Sequence, residues 1–210
     1  KFRGSSIFIN GGTLTVDACM VSNNVADTGG AIFSHIYKRG GTQVIISNSN
    51  FTNNIATDTG GAIQLVKTLV GLIQNCSFDG NVAGSQGGAI HVHGTSNYPI
   101  TLGILNSTFR NNKQRASHTS LNTGGGALWV SSKASIPVRE SLFSHNTANP
   151  RGHQIMTVKT TSIDPELTLV NTEFAHSQSS GNFFGYVKES IDVEEGSEQL
   201  FIEPKSCIDS

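Results

Sequence analysis

The chain has 210 residues, and its 14 Lys and Arg against 15 Asp and Glu leave a formal net charge of -1 at pH 7. Nucleic-acid binding needs a basic surface that neutralises phosphates, so this balance argues against a nucleic-acid partner. Charged residues make up only 14% of the chain while glycine, asparagine, serine and threonine are abundant, a composition typical of secreted β-rich proteins.

The N-terminal stretch "KFRGSSIFINGG" indicates folded structure rather than a signal peptide, so we expect the chain to be part of a longer protein. No apolar run approaches the roughly 20 residues of a membrane-spanning helix, and we expect no membrane span in this segment. Three cysteines, Cys19, Cys76 and Cys207, form no CxxC motif, and their pairing is left open.

One phrase recurs along the chain: an apolar residue, an asparagine three positions later, and then a glycine pair followed by aliphatic residues. The copies are "VSNNVADTGGAIFS" from Val21, "FTNNIATDTGGAIQL" from Phe51, "FDGNVAGSQGGAIHV" from Phe78, "FRNNKQRASHTSLNTGGGALWV" from Phe109 and "FSHNTANPRGHQIMT" from Phe143. Gly60 and Gly87 are 27 residues apart, and so are Gly125 and Gly152. This spacing sets the minimal length of one unit.

Each unit contains short runs rich in Ile, Val and Leu between clusters of Gly, Asn, Ser and Thr, without helical periodicity. The pattern predicts an all-β fold, a right-handed parallel β-helix (solenoid) of about six or seven coils, over residues 1–185. Residues 186–210 are acidic and lack the phrase, so we expect a terminal irregular coil or a linker to a further domain.

Stacked coils place like residues above like residues. We therefore expect an apolar column of Val21, Phe51, Phe78, Phe109, Phe143 and Phe174, and an asparagine ladder of Asn48, Asn75, Asn106 and Asn171 that caps turn backbone. The glycine pairs should supply positive φ and close backbone approach at a tight corner; they are Gly29 with Gly30, Gly60 with Gly61, Gly87 with Gly88 and Gly125 with Gly126.

The paired tetrapeptides "GGAI" or "GGAL" and "FTNN", "FDGN", "FRNN" and "FSHN" resemble the repeats of the chlamydial polymorphic outer membrane proteins, over roughly residues 20 to 160. The resemblance implies a right-handed β-helix in a surface-exposed autotransporter passenger that acts as an adhesin. Similar repeats also occur in other extracellular proteins. The resemblance therefore implies a surface location more firmly than it implies a chlamydial adhesin.

The strand after the glycines suggests a binding surface. Period-2 alternation predicts that Ile32, Ile63, Ile90, Leu128 and Ile155 point inward. The outward row is then Phe33, Gln64, His91, Trp129 and Met156, followed two positions on by His35, Val66, His93, Ser131 and Val158. Large apolar side chains on a solvated face mark a contact surface, unless loops or a neighbouring domain cover them; both interpretations stay open.

Two insertions provide further candidate binding residues. One runs from Lys113 to Thr123 and includes Arg115; the other runs from His93 to Pro99 and includes Tyr98, which we expect to be exposed. Asn50 is a candidate glycosylation acceptor, whereas the sequons at Asn75 and Asn106 would be blocked if the asparagine ladder faces inward.

Sites for metals or catalysis are weakly indicated. His91 and His93 lie two apart on one strand face, with His35 near them, but no further ligand is placed by the pattern, and no metal or other cofactor is predicted. Asp27 and Asp58 are expected to cap turn backbone rather than bind calcium. Ionisable residues that could form a catalytic groove are expected at dissimilar coil positions; they are Asp79, Arg110, Arg139, Glu140 and Glu173.

Together these features predict a secreted, extracellular or cell-surface segment that acts as an adhesin or binding module for a cell-surface or matrix protein or glycan. One alternative is a structural subunit of a surface filament or extracellular matrix that contacts neighbouring copies. A polysaccharide lyase or epimerase-like enzyme is the other alternative, and we expect the segment not to be an enzyme.

Overall fold

A computed structural model describes residues 6–35, 41–68, 70–115, 123–131, 133–149, 152–158 and 165–175, together with the backbone of 184–185 and 191–193. In these residues the secondary structure consists of short β-strands, and it forms four sheets.

The strands of each sheet come from successive passages of the chain around one axis. Sheet 1 comprises β2 (Gly12–Asp17), β6 (Thr42–Ser47), β10 (Val70–Gln74), β14 (Ile100–Leu105), β18 (Ala134–Arg139), β21 (Glu166–Val170) and β24 (Ile191–Val193). Sheet 2 comprises β3 (Met20–Ser22), β7 (Asn50–Thr52), β11 (Ser77–Asp79), β15 (Thr108–Arg110), β19 (Leu142–Ser144) and β22 (Glu173–Ala175).

The other two sheets complete each coil. Sheet 3 comprises β4 (Val25–Thr28), β8 (Ile55–Thr59), β12 (Val82–Ala83) and β16 (Lys113–Gln114). Sheet 4 comprises β1 (Ile7–Ile9), β5 (Ile32–His35), β9 (Ile63–Val66), β13 (Ile90–His93), β17 (Leu128–Ser131), β20 (Ile155–Val158) and β23 (Phe184–Gly185).

The chain visits sheets 1, 2, 3 and 4 in turn, and neighbouring strands within a sheet run parallel. This is the parallel β-helix that the repeats predict. It has about five turns, slightly fewer than the six or seven expected. Right-handed winding stays a prediction.

The predicted apolar column is confirmed. Strand register aligns Val21 with Phe51 and then pairs successive phenylalanines as far as Phe143 with Phe174. The rings stack with centroid separations of 5.0, 4.8, 4.7 and 5.3 Å along the column. Because parallel strands repeat about every 4.8 Å, aromatic rings in equivalent positions must lie face to face.

A second, buried asparagine ladder runs beside this column and was not predicted as a ladder. It consists of Asn24, Asn54, Asn81, Asn112 and Asn146, the last residue of each FxxN phrase or its equivalent. Each carboxamide nitrogen donates to the carboxamide oxygen of the next coil at 2.8–3.0 Å. Asn146 ends the ladder by donating to Gln154 Oε1 at 2.6 Å. The FxxN spacing was the signal that could have revealed it.

The glycine pairs supply positive φ and close backbone approach, as predicted, and the structure divides these roles between the two glycines. Gly87 has a φ of +64°, which a residue with a side chain rarely adopts. A Cβ on Gly88 would lie 2.0 Å from the carbonyl oxygen of Gly126 in the next coil, so only glycine allows the coils to approach. The corners therefore stay tight throughout the stack.

The division at residue 185 stays a prediction. Strand β24, at Ile191–Val193, lies beyond it and pairs in parallel with β21 of sheet 1.

Candidate functional site

The outward row of sheet 4 exists as predicted, but it is not an exposed surface. Strand register aligns Phe33, Gln64, His91, Trp129 and Met156 across five coils. Their side chains are only 0% to 8% exposed. Of the two interpretations that the sequence left open, this burial contradicts the solvated contact face and agrees with a covered row.

The row forms a small core outside the coil. The imidazole of His91 stacks on the indole of Trp129, with ring centroids 4.5 Å apart and planes 12° apart. Gln64 Nε2 lies 3.4 Å from His91 Nδ1, and Trp129 clusters with buried Met156 and Val158. Phe33 stacks on Phe8 at 5.4 Å. These contacts make the row a structural support rather than a binding surface.

His91 and His93 of sheet 4 are held in the neutral form. Burial, together with the smaller effect of the nearby His93, lowers the pKa of His91 to about 3. Burial also lowers the pKa of His93, with a contribution from Lys67. The His91 and His93 rings are 6.2 Å apart, and His93 Nδ1 lies 3.1 Å from Ser131 Oγ. Among the residues that the structure describes, no three His, Cys, Asp or Glu side chains cluster as metal ligands.

The insertion before β14 forms a compact loop between sheets 4 and 1. Its backbone closes through two hydrogen bonds between Thr95 and Tyr98, of 3.0 and 2.9 Å. Lys67 Nζ lies 5.7 Å from the centroid of the Tyr98 ring, which is a cation–π geometry. Tyr98 is therefore half-buried rather than fully exposed, and Lys67 contributes a charge that the sequence did not indicate.

The second insertion starts later than predicted. Lys113 and Gln114 form β16 of sheet 3, because Lys113 continues the ladder that begins at Val25 and runs through Val82. Lys113 and Arg115 are exposed, whereas Thr123 is buried. Residues 116–122 lie outside the described part of the chain. The insertion connects sheet 3 to sheet 4. One insertion therefore precedes a strand of sheet 4 and the other follows one, so the two lie at opposite ends of the sheet 4 strands.

The predicted asparagine ladder is present from Asn48 to Asn106, and it faces solvent. Asn75 donates to Asn48 Oδ1 at 3.2 Å, and Asn106 donates to Asn75 Oδ1 at 2.9 Å. These residues have φ between +43° and +53°, and Glu140 takes the equivalent position before Asn171. Asn50, Asn75 and Asn106 are all exposed, so burial does not block any of the three sequons. The ladder faces outward, so the condition under which Asn75 and Asn106 would be blocked is not met.

The ionisable residues are closer together than predicted. Asp79 and Arg110 are register partners on β11 and β15, since each follows a column phenylalanine by one residue. Glu140 and Glu173 line one shallow cleft of about 300 Å³, together with Asn106, Thr108, Leu142 and Asn171. Equivalent coil positions thus bring Asp79 and Arg110 together, whereas Glu140 and Glu173 reach one cleft from different positions of neighbouring coils.

The two aspartates before the glycines bind side chains of the next coil. Asp27 accepts a hydrogen bond from Thr57 Oγ1 at 3.1 Å, and Asp58 accepts one from Ser85 Oγ at 2.5 Å. These bonds link neighbouring coils instead of capping turn backbone. The thiols of exposed Cys19 and buried Cys76 are free, and Cys207 lies outside the described residues.

Comparison with known families identifies the repeat. Residues 48–65 and 75–93 match the family model described as the Chlamydia polymorphic membrane protein (Chlamydia_PMP) repeat, as the resemblance in the sequence predicts. The matched segments are equivalent parts of two consecutive coils, from the exposed asparagine ladder into sheet 4 strands β9 and β13. No curated protein and no solved structure matches the chain.

The description of the family agrees with an outer-membrane or surface location. The matched repeats and the β-helix fold together fit a surface-exposed segment. This repeat family is not a family of enzymes, which is consistent with a non-catalytic segment. Within the described residues, no helix is long and apolar enough to span a membrane.

Proposed function

We propose that this segment is an extracellular β-helix that acts as an adhesin, binding a cell-surface or matrix protein or glycan. The observation that carries the proposal is the polymorphic membrane protein repeat on two consecutive coils of one continuous β-helix. A stack of this kind holds protruding loops at fixed positions, which is what a binding module requires.

The contact surface is formed by the loops that flank sheet 4 rather than by the row within it. On one side, Lys67 and Tyr98 place a cation over an aromatic ring. On the other side, Lys113 and Arg115 extend exposed positive charge at the start of an insertion. The buried stack of His91 on Trp129 lies between these two sides and packs β13 against β17.

Asn50 is the proposed N-glycosylation acceptor, since its side chain is exposed on β7 and its sequon is intact. Asn75 and Asn106 join it as candidates, because the ladder that contains them faces solvent.

An alternative function, cleavage of acidic polysaccharides, draws support from the cleft that contains Glu140 and Glu173. Paired carboxylates can act as acid and base, although such an enzyme also needs cationic groups to neutralise the uronic acid. Incubation with uronic-acid polymers tests it: product formation that Glu173→Gln abolishes would favour an enzyme over an adhesin.

The adhesin proposal is tested by binding of the purified segment to cultured cells, immobilised matrix proteins and a glycan array. We expect Tyr98→Ala and the double variant Lys113→Ala/Arg115→Ala each to weaken binding at least several-fold without lowering thermal stability. Arg110→Ala is the matched control, because Arg110 is also an exposed cation but lies on sheet 2. Equal binding by all four proteins would refute the assigned surface.

A further inference from the structure

The corner where the chain passes from sheet 4 to sheet 1 carries positive charge. Lys67 lies between β9 and β10, and Lys133 lies between β17 and β18. Neither forms an ion pair with another described residue. None of the described residues at this corner is acidic; they are Asn10, Gly11, Gly41, Lys67, Thr68, residues 94–99 and Lys133. The two lysine charges therefore remain uncompensated at this corner.

Both lysines have a backbone conformation that lysine rarely adopts. The φ angle is +55° at Lys67 and +59° at Lys133, in the left-handed region. Every other described non-glycine residue with positive φ lies at one of the two corners of sheet 2, and most of those residues are asparagines. The short side chain of asparagine suits this conformation because it can hydrogen-bond locally, which lysine does not do. The backbone thus gives no reason for lysine at either position.

The loop at residues 94–99 lies between the two lysines along the solenoid axis. Strand register sets the order, because Val70 pairs with Thr101 and Ile100 pairs with Ala134. Tyr98 of this loop has its ring centroid 5.7 Å from Lys67 Nζ. An aromatic face attracts a cation but does not neutralise it, so the ammonium can still bind an anion.

We propose that this corner binds an acidic polysaccharide, with one anionic group on Lys67, a second on Lys133 and a sugar ring against Tyr98. The two lysines are two coils apart, or about 10 Å along the axis, so a linear polymer with repeated charges can reach both. Sulfate and carboxylate groups both accept charge-assisted hydrogen bonds from an ammonium group.

The loop provides the other groups that a sugar polymer needs. Ser96 and Asn97 are exposed beside half-buried Tyr98, so a hydroxyl and a carboxamide are available to the hydroxyl groups of a sugar. The aromatic ring with these neutral polar groups favours a polysaccharide over an acidic peptide. A nucleic acid is disfavoured because the chain has a net charge of -1.

This inference rests on the proposed adhesin function, since it names the ligand class for one of the two sides of the contact surface. The two can fail separately. Binding to cells without binding to acidic polysaccharides would refute this inference and leave the adhesin function standing. Binding to acidic polysaccharides without binding to cells or matrix proteins would do the reverse.

Titration calorimetry of the 210-residue chain with heparin and hyaluronan oligosaccharides of defined length tests the ligand class. We expect at least one of them to bind, with an affinity that falls as NaCl is raised, because salt screens exposed charges. Binding of heparin alone would identify sulfate as the anionic group, and binding of hyaluronan alone would identify carboxylate. Neutral dextran and polyglutamate should not bind. Binding of neither acidic polysaccharide, or equal binding of polyglutamate, would overturn the proposal.

Lys67→Asn and Lys133→Asn test the two cationic positions. Asparagine accepts the positive φ, so each variant removes one charge and should keep the melting temperature of the parent. We expect each variant to weaken polysaccharide binding at least fivefold. Arg110→Gln is the matched control, because it changes the net charge by the same amount on sheet 2 and should change binding less than twofold. Lysine variants that bind like the parent, or a control that loses as much affinity as they do, would contradict this site.

The aromatic contact has its own pair of variants. Tyr98→Ala should weaken binding of the same oligosaccharide several-fold, whereas Tyr98→Phe keeps the ring and should bind within twofold of the parent. Parent-like binding by Tyr98→Ala would remove the sugar ring from the proposal and so refute it as stated.

Discussion

Asn81 Nδ2 donates a hydrogen bond of 2.9 Å to Asn112 Oδ1, and both side chains are fully buried. Asn81 also donates to the backbone carbonyl of Phe51, while its Oδ1 accepts from the backbone and side-chain nitrogens of Asn54. Every polar atom of this buried amide therefore has a partner, and the ladder joins three consecutive coils through one residue. Such a network stabilises the fold only while it is complete.

We predict that Asn81→Ala lowers the free energy of unfolding by about 3 kcal/mol, because it leaves buried donors on Asn54 and a buried acceptor on Phe51 without partners. Thermal and urea unfolding monitored by circular dichroism measure the loss. The matched control is Asn75→Gly in the exposed ladder, where glycine accepts the positive φ and water replaces the lost bonds. If the control destabilises the chain as much as Asn81→Ala, the inner ladder has no special role.

The phenylalanine column should dominate the core energy. Phe78→Ala removes a buried ring that stacks on two neighbours at 5.0 and 4.8 Å, and we expect a loss of about 3–5 kcal/mol. Met20→Ala is the control, because Met20 is 84% exposed and its truncation should change stability by less than about 0.5 kcal/mol. Urea midpoints of the two variants provide the comparison. Similar midpoints would show that the ring column is not the main stabilising element.

Glycine is required at Gly88 for a steric reason. A Cβ there would lie 2.0 Å from Gly126 O and 2.7 Å from Lys113 N, both backbone atoms of the next coil. Gly88→Ala should therefore push the coils apart and lower the melting temperature sharply. Gly103→Ala should leave it nearly unchanged, since its new methyl group would meet only a flexible leucine. A melting curve for Gly88→Ala that matches the parent would argue against close backbone approach.

Stability should fall as the solution becomes acidic. The folded pKa of His91 is about 3, below the usual 6.5, so the unfolded chain binds a proton that the folded chain excludes. The stabilisation is complete above pH 6.5 and is lost as the pH falls toward 3, with about 2 kcal/mol lost by pH 5.

The His91→Phe variant isolates this effect. Phenylalanine keeps a ring against Trp129 but cannot take up a proton, so unfolding of the variant should depend less on pH between 7 and 5. His93 and His153 remain in both proteins, and burial lowers the pKa of each, so a residual dependence is expected. Parallel pH profiles for parent and variant would mean that His91 does not set the acid sensitivity.

Much of the fold was predictable because the repeat itself encodes it. Phe51, Phe78 and Phe109 occupy the same place in each phrase, and parallel stacking turns that spacing into a column. The glycine pairs were predictable for the same reason. The pairing of Asp79 with Arg110 was predictable too, since each directly follows a phenylalanine of the apolar column. The residues around them differ between the two repeats, so the repeated phrase does not show this pairing.

The candidate site was less predictable. Alternation along the strands correctly placed His91 and Trp129 in one outward row, yet both are buried. Periodicity reports only on which side of a strand a residue lies. Whether that side meets water depends on what else packs there, and no repeat encodes it.

The sequence by itself therefore determined the coil, its interior columns and its tight corners, because these depend on contacts between equivalent residues of successive repeats. Only the tertiary structure decided that the asparagine ladder of Asn48 and Asn75 faces solvent and that the Trp129 row is covered. Burial is a property of the assembled surface, since it depends on residues far apart in the chain that share no common spacing.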